Sequence, residues 1–149
     1  MDKGRINLGN GSFTNEGPQR TWYPGGVPKT YREYRDGEPS GHWMTWWATG
    51  LLQSSYVFDP DRETQMVWWH ANGIVASEGL ARNGQRVGPW TYRYENGALE
   101  SQGSYAGGER DGEWTFYGED GQWRERGRYV AGKRVGEWEH AEAAPRFDR

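Results

Sequence analysis

The feature that most constrains the fold of this chain is a short motif, Gly-x-Trp, that returns at a nearly constant spacing. The tryptophans of its last three copies are 24 residues apart, whereas Trp43 and Trp90 are 47 apart, which is 24 plus 23. A degenerate copy therefore lies between them, with Met66 in the tryptophan position and Thr64 in place of the glycine. Because units of this length cannot bury a core alone, the period predicts tandem repeats that stack on one another. The clear copies begin at Gly41, Gly88, Gly112 and Gly136.

Two further sets of glycines follow the same period and indicate where each unit reverses direction. One glycine comes seven residues after each tryptophan position, at Gly50, Gly73, Gly97 and Gly121. Another comes four residues before each Gly-x-Trp, at Gly37, Gly84, Gly108 and Gly132. Between these glycines, as in GPWTYRYENG, aromatic and polar residues alternate, which is typical of a strand that ends in an Asn-Gly turn. Each unit is therefore predicted to be a β-hairpin.

The composition agrees with hairpins that enclose only a thin core. Hydrophobic residues make up 34% of the 149-residue chain, yet it contains 10 Trp, 9 Tyr and 23 Gly, so aromatic rings must supply the buried area. We expect an all-β fold, an elongated single-layer antiparallel β-sheet ribbon built from tandem 23–24-residue β-hairpin repeats. Residues 19–140 are predicted to form this repeat domain, with an irregular N-terminal cap at 1–18 and a C-terminal tail at 141–149.

Several classes of function are disfavoured by the composition. The net charge of −3 comes from 18 basic and 21 acidic residues scattered along the chain, so we expect no nucleic-acid partner. Cysteine is absent and the three histidines occupy different positions in different repeats, which argues against a metal site. The sequence has neither a phosphate-binding loop nor a nucleophile motif, so we expect no enzyme and no cofactor. No apolar span approaches the ~18 residues of a membrane helix, and a cytoplasmic location without membrane binding is the expectation.

The periodic tryptophans and glycines are predicted to be structural. Rings at strict repeat spacing form a strip that neighbouring units bury together, and the glycines permit turns and close approach of neighbouring strands. The predicted structural set is Trp43, Trp90, Trp114, Trp138, Gly41, Gly88, Gly112 and Gly136.

Aromatic residues shortly after the motif tryptophan vary between repeats and are better candidates for contacting a partner. Adjacent strand residues point to opposite faces, so only one ring of each Trp-Trp pair can join the core. The acidic residues of the degenerate copy are a second candidate, since they could pair with a basic surface. The predicted binding set is Trp46, Trp47, Trp68, Trp69, His70, Tyr94, Tyr117, Asp59, Asp61 and Glu63.

In these motifs the chain resembles the MORN-repeat family, in its bacterial variant. The segments that carry the resemblance are GHWMTWWATG, GPWTYRYENG and GEWTFYGEDG, with Tyr34, Tyr105 and Tyr129 at the strand ends. The chain departs from the pattern over 57–66, where Pro60 removes a ladder donor, so this copy is expected to bulge or to carry a loop. The resemblance implies an extended antiparallel ribbon used as a binding or scaffolding surface and, for bacterial members, an antitoxin or immunity role.

More than one function remains open from the sequence. The favoured one is a non-enzymatic protein-binding module that occludes a protein partner, such as a toxin or a component of a larger complex. The alternatives are carbohydrate or choline-type ligand binding by the aromatic face, and a structural scaffold joined through the open ends of the ribbon. Association with membrane lipid is a further alternative, which the net charge of −3 argues against.

Overall fold

The computed structural model describes residues 5–7 and 13–142, and every regular element among them is a β-strand. The predicted N-terminal cap lies partly, and the predicted tail mostly, outside these described residues. The strands are β1 (Arg5–Asn7), β2 (Phe13–Asn15), β3 (Gly17–Trp22), β4 (Pro28–Arg35), β5 (Glu38–Trp46), β6 (Leu52–Phe58), β7 (Glu63–Trp69), β8 (Val75–Arg82), β9 (Gln85–Arg93), β10 (Leu99–Ala106), β11 (Glu109–Tyr117), β12 (Trp123–Val130) and β13 (Lys133–His140).

Strands β3 to β13 form one open antiparallel sheet in which each strand pairs with the next strand along the chain. Strands β1 and β2 form a separate two-stranded sheet. With neighbouring strands about 4.8 Å apart, the eleven-stranded sheet is a ribbon roughly 48 Å long. The predicted all-β ribbon of consecutive hairpins is confirmed, and the main sheet covers residues 17–140.

Two kinds of reversal alternate along the two long sides of the ribbon. On the first side, here called the loop side, the chain reverses through three-residue loops, and Trp47 N–H, for example, donates to the Leu51 carbonyl at 2.8 Å. Each of these loops ends in a glycine with positive φ, at Gly26, Gly50, Gly73, Gly97 and Gly121. On the second side, two-residue turns have positive φ at both positions, the type I′ geometry that suits twisted hairpins, at 36–37, 83–84, 107–108 and 131–132.

The glycines of Gly-x-Trp lie within strands rather than at these reversals. Their φ angles are between 62° and 83°. The pairing of β10 with β11 shifts in register between Gly103 and Ser104, opposite Gly112, which places a bulge at the motif. Because a bulge of this kind needs a left-handed residue, glycine is the residue that adopts it at least cost. The motif therefore marks a bulge in each regular repeat, which the hairpin prediction alone did not assign.

The core lies on the face that carries the motif tryptophans, here called the aromatic face. Trp90 and Trp114 are 1% and 0% exposed, with Tyr105 and Tyr129 buried beside them. Tyr105 meets both tryptophans edge-on, with ring centroids 5.9 and 5.2 Å apart, a favoured geometry for aromatic pairs. At the end of the ribbon Trp138 is half-buried, because only one strand flanks β13 in the described sheet.

Each of these tryptophans lies against a glycine on the preceding strand. A Cβ added to Gly79 would come within 2.5 Å of the Trp90 ring. Gly103 and Gly127 stand in the same relation to their own tryptophans and would meet them even more closely. A single-layer sheet can bury an indole this deeply only because the strand beneath it has no side chain at that position.

The degenerate copy exchanges both members of this pair. Tyr56 takes the glycine position on β6, and Met66 takes the tryptophan position on β7. Phe58 and Met66 are eight residues apart, whereas Tyr105 and Trp114, their equivalents in a regular copy, are nine apart, and this one missing residue accounts for the 23-residue step. The expected irregularity takes the form of a four-residue loop at 59–62, flanked by strands joined through only two residue pairs.

Tyr56 also replaces a backbone contact that the regular copies make. In the regular copies, Gly108 N–H and Gly132 N–H donate to the carbonyls of Arg86 and Arg110, at 3.0 and 2.9 Å. The equivalent Gly84 N–H donates to the Tyr56 hydroxyl at 2.7 Å instead. The ribbon thus remains continuous through the degenerate copy, although the chain there is built differently.

Candidate functional site

The aromatic strip of the C-terminal repeats is continuous because a ring lies two positions after each motif tryptophan. Tyr92 lies between Trp90 and Trp114, with ring centroids 6.1 and 6.2 Å from theirs. Phe116 lies between Trp114 and Trp138 at 6.2 and 6.1 Å. These two residues, here called the bridging rings, fill the space between successive tryptophans.

The bridging ring of Tyr92 is also fixed by its hydroxyl. It shares a hydrogen bond of 2.6 Å with the Tyr105 hydroxyl. Burial, and then this hydrogen bond, raises the pKa of Tyr92 above its ordinary value, so the phenol stays neutral throughout the physiological range. The strip formed by the C-terminal repeats is therefore closed and fully occupied by the protein's own side chains.

The strip is interrupted where the bridging position holds Thr45. The Thr45 hydroxyl shares a hydrogen bond of 2.6 Å with the Ser54 hydroxyl, and this small side chain leaves the space beside Trp43 unfilled. An open cavity of about 240 Å³ occupies that place, and we call it the ring gap. Its lining is Arg32, Trp43, Thr45, Ser54, Ser55, Tyr56, Phe58, Met66 and Trp68.

The only charged side chain in that lining is a guanidinium group. Arg32 stands on β4 in the position that glycine holds in regular copies, and its Cζ lies 4.9 Å from the centroid of the Trp43 ring. Its Nε atom is buried and has no hydrogen-bond partner. The ring gap therefore combines an apolar wall with one cation whose hydrogen-bonding capacity is incompletely used.

Arginines cover the tryptophans of the regular repeats as well. Arg86, Arg110 and Arg134 each stand four residues before a motif tryptophan, with Cζ 5.2, 4.8 and 3.9 Å from the ring centroids. Sequence reasoning missed these arginines, and it missed the glycines beneath the rings. Both sets repeat every 24 residues, so aligning every column of the repeat would have found them.

Trp68 stands at the border between the ring gap and a second cavity. This second cavity has a volume of about 530 Å³ and shares Met66 and Trp68 with the first. The Trp68 side chain is 39% exposed, although it occupies a bridging position equivalent to that of Tyr92. The two cavities together form a groove across the degenerate copy, with Trp68 as its central exposed ring. The second cavity is lined by Met66, Trp68, Gly84, Gln85, Arg86, Gly107, Gly108 and Glu109.

Three residues of the predicted binding set form a ladder along the loop side instead. Trp47 Nε1–H donates to the Trp69 carbonyl at 3.2 Å, and His70 Nε2 bonds the Arg93 carbonyl at 2.7 Å. Tyr94 donates its hydroxyl to the Tyr117 carbonyl at 2.6 Å, and Tyr23, one repeat before Trp47, donates its hydroxyl to the Trp46 carbonyl. Each side chain therefore connects its loop to the next repeat, and its predicted binding role stays a prediction.

The remaining predicted residues lie away from the ring gap. Trp46, Trp69 and Tyr117 end their strands at the loop side, and alternation directs Trp69 to the face opposite Trp68. Asp59 accepts hydrogen bonds from Asp61 N–H and from Arg62, and these hold the pKa of its carboxyl group below the ordinary value. Asp61 and Glu63 are exposed at the same loop. Of the predicted binding set, Trp68 alone lines the ring gap.

Within the described part of the chain, no group of three or more His, Asp or Glu side chains is placed to hold a metal ion. Residues 5–7 and 13–142 likewise contain no helix with the length and apolar character that a membrane crossing requires.

The fold and the groove define a class of protein: an open β-ribbon of tandem hairpins, with its core on one face and a binding-sized gap where one repeat departs from the others. A family model described as MORN repeat variant matches residues 86–106, which include nearly all of β9 and the whole of β10. The match covers 21 of 149 residues, so it supports similarity to a MORN repeat for this segment. MORN repeats are non-enzymatic modules that generally bind proteins or membranes. No curated protein matches the chain.

Proposed function

We propose that this chain is a non-enzymatic protein-binding repeat module and that its partner binds on the aromatic face at the ring gap. The observation that carries this proposal is the interruption of the aromatic strip at Thr45, which leaves an apolar cavity beside the exposed ring of Trp68. Tryptophan, tyrosine and arginine are the residues most enriched among those that dominate binding energy at protein interfaces. All three line this cavity.

The more specific form of the proposal is an antitoxin or immunity-type protein of bacterial origin that acts in the cytoplasm. The resemblance of the chain to the bacterial variant of the MORN-repeat family supports this role. The mechanism would be occlusion, in which the ribbon covers the active site of a toxin and Trp68 enters the centre of the interface. A tagged protein and its captured partner should then co-fractionate with the cytoplasm.

An affinity capture from the native host, followed by mass spectrometry, tests the protein-binding function. The decisive variant is Trp68→Ala, and Trp22→Ala is the matched control, since Trp22 is 57% exposed and lies outside the groove. We expect one protein to be retained by the wild type and by the control but lost with Trp68→Ala. Equal retention by all three proteins would show that the aromatic face is not the binding surface.

The antitoxin form requires a further measurement with purified components. Adding the wild-type ribbon at a stoichiometric ratio should abolish the enzymatic or growth-inhibitory activity of the captured protein. Adding the Trp68→Ala variant at the same ratio should leave that activity intact. A captured protein without toxic activity would leave a binding module and remove the antitoxin role. The choline-type alternative is disfavoured by Arg32, because a cation in the cavity repels a quaternary ammonium group. Unchanged Trp fluorescence in the presence of choline and glycans would remove both ligand-binding alternatives.

A further inference from the structure

We propose that the ring gap binds an aromatic side chain that is followed by a carboxylate, presented on an extended segment of the partner protein. The proposal rests on the protein-binding function above and deepens it by naming the chemistry of the group that is recognised. Three features of the cavity lead to it: the ring that the repeat lacks, the size of the space and the charge beside it.

The first feature is the difference between the bridging positions. In the regular repeats, Tyr92 and Phe116 place a ring between successive tryptophans. Thr45 occupies the equivalent position and leaves that space open. A ring supplied from outside would therefore complete an arrangement that the same protein builds twice with its own side chains. The bridging rings lie tilted or stacked against their tryptophans, and a ring bound in the gap would adopt the same geometry against Trp43.

The second feature is the space itself. The cavity has a volume of about 240 Å³, and its walls are mainly the apolar surfaces of Trp43, Tyr56, Phe58, Met66 and Trp68. An apolar cavity of roughly 150 Å³ is sufficient to bind benzene, so a phenyl or phenol ring fits with room for the first atoms of a peptide backbone. The hydroxyl groups of Thr45 and Ser54 hydrogen-bond to each other, so this part of the cavity wall offers few free polar groups to a ligand.

The third feature is the charge. Arg32 is the one charged residue of the lining, and no carboxylate joins it there. Its guanidinium lies over Trp43, and its buried Nε has no partner. Because a stacked guanidinium keeps its in-plane N–H donors available, it is suited to a planar carboxylate next to the bound ring. The complementary group on the partner is therefore an acidic residue or a chain terminus that follows the aromatic residue.

A matched pair of small probes tests this inference without knowledge of the partner. The probes are N-acetyl-L-phenylalanine, which carries the ring and a carboxylate, and N-acetyl-L-phenylalaninamide, which carries the same ring without the charge. Both are titrated into the full-length protein while the indole N–H resonances are followed by NMR. For ligands of this size we expect a Kd of about 1 mM for the acid and binding weaker by at least about fivefold for the amide. The resonances of Trp43 and Trp68 should shift first.

Two variants assign the ring and the charge separately. Thr45→Phe supplies the missing ring from within, so it should abolish binding of both probes while the spectrum remains that of a folded sheet. Thr21→Phe is the matched control, because Thr21 is the equivalent exposed position one repeat earlier, on β3. Arg32→Gln should reduce binding of the acid to the level of the amide. If Thr45→Phe disturbs the fold, Trp68→Ala tests the same cavity by removing one of its walls.

The outcomes separate this inference from the proposed function. Equal binding of the acid and the amide to the wild type would overturn the inference that a carboxylate is recognised. Absence of saturable shifts at Trp43 and Trp68 would overturn the proposal that the ring gap is a binding site. In either case the protein-binding function stands if affinity capture still depends on Trp68. Binding of the acid that survives Thr45→Phe would also overturn the inference, since the probe would then occupy another place. Selective binding that both variants remove would establish it.

Discussion

The regular repeats from Trp90 to Trp138 and the degenerate copy around Met66 fold into the same sheet but build their aromatic face differently. In the regular repeats an indole lies on a bare glycine, an arginine covers it and a bridging ring connects it to the next indole. In the degenerate copy Tyr56 replaces the glycine and Met66 replaces the tryptophan. The larger aromatic side chain therefore lies on β6 instead of on β7.

Under the proposed function, this difference separates stability from recognition along the ribbon. The C-terminal strip buries Trp90 and Trp114 almost completely and fills the spaces between its tryptophans with bridging rings, whereas the degenerate copy gives up part of that burial and exposes Trp68 beside a cavity. The degenerate copy is also the weakest seam, because β6 and β7 share two residue pairs where β7 and β8 share seven. A ligand that bridges β5 and β7 at the ring gap would strengthen the ribbon where its own pairing is weakest.

The largest expected effect contrasts the two residues at the tryptophan position. Trp114→Ala removes a fully buried indole and should lower the free energy of unfolding by about 3–5 kcal/mol. Met66→Ala removes a half-buried side chain at the border of an existing cavity and should cost about 1–2 kcal/mol. Urea denaturation followed by circular dichroism measures both values. Equal losses would mean that the degenerate copy contributes as much to the core as the regular ones.

The second prediction concerns the glycine beneath the indole. Gly103→Ala adds a methyl group against the Trp114 ring and should destabilise the protein by about 1–3 kcal/mol through overpacking. Gly118→Ala is the matched control, because Gly118 also lacks a positive φ and its added Cβ would meet the end of the long, exposed Arg124 side chain rather than a buried ring. Thermal or urea unfolding of the two variants should separate them clearly. If both were equally stable, the glycine column would not be required for ring burial.

A third prediction tests whether the exchange in the degenerate copy is a paired one. Met66→Trp alone should clash with Tyr56 and cost about 1–3 kcal/mol. The double variant Tyr56→Gly, Met66→Trp restores the regular pairing and should recover at least half of that loss. The recovery is incomplete because the variant lacks the hydrogen bond that Gly84 N–H donates to the Tyr56 hydroxyl. The coupling energy from a double-mutant cycle is the measurement. Strict additivity of the two single changes would contradict the paired exchange.

The period, the hairpins and the aromatic core could be predicted from the sequence, because turns and ring burial require residue types whose spacing is visible. The ring gap could not be predicted, since it depends on the absence of a ring at Thr45 and on the changed chain between Phe58 and Met66, which is one residue shorter than in a regular copy and leaves Tyr56 in the glycine position. The structural role of the variable residues at the loop side could not be predicted either, and their binding role stays a prediction. Trp47, His70 and Tyr94 differ in type because any of the three side chains can reach the same carbonyl of the next repeat.

The smallest expected effect compares the arginines at the two ends of the aromatic face. Arg134, over Trp138, donates to Glu125 at 2.7 Å, and this bond holds the pKa of the Glu125 carboxyl group below its ordinary value. A carboxyl group with a lowered folded-state pKa stabilises the protein at neutral pH and loses that contribution as the pH falls from about 4.5 through the folded value. Glu125→Gln should therefore cost less than about 1 kcal/mol at pH 7, and the cost should shrink below pH 4.5.

The same experiment at the other end sharpens the contrast between the arginines. Arg32 has no carboxylate beside it in the ring gap, so Arg32→Gln should change stability by the same amount at pH 7 and at pH 3.5 when no ligand is present. Urea unfolding at the two pH values gives both comparisons. A pH-dependent cost for Arg32→Gln would reveal an acidic partner within the free protein, and the gap would then already be neutralised. A pH-independent cost leaves Arg32 as a cation held ready for a group that the protein itself does not supply.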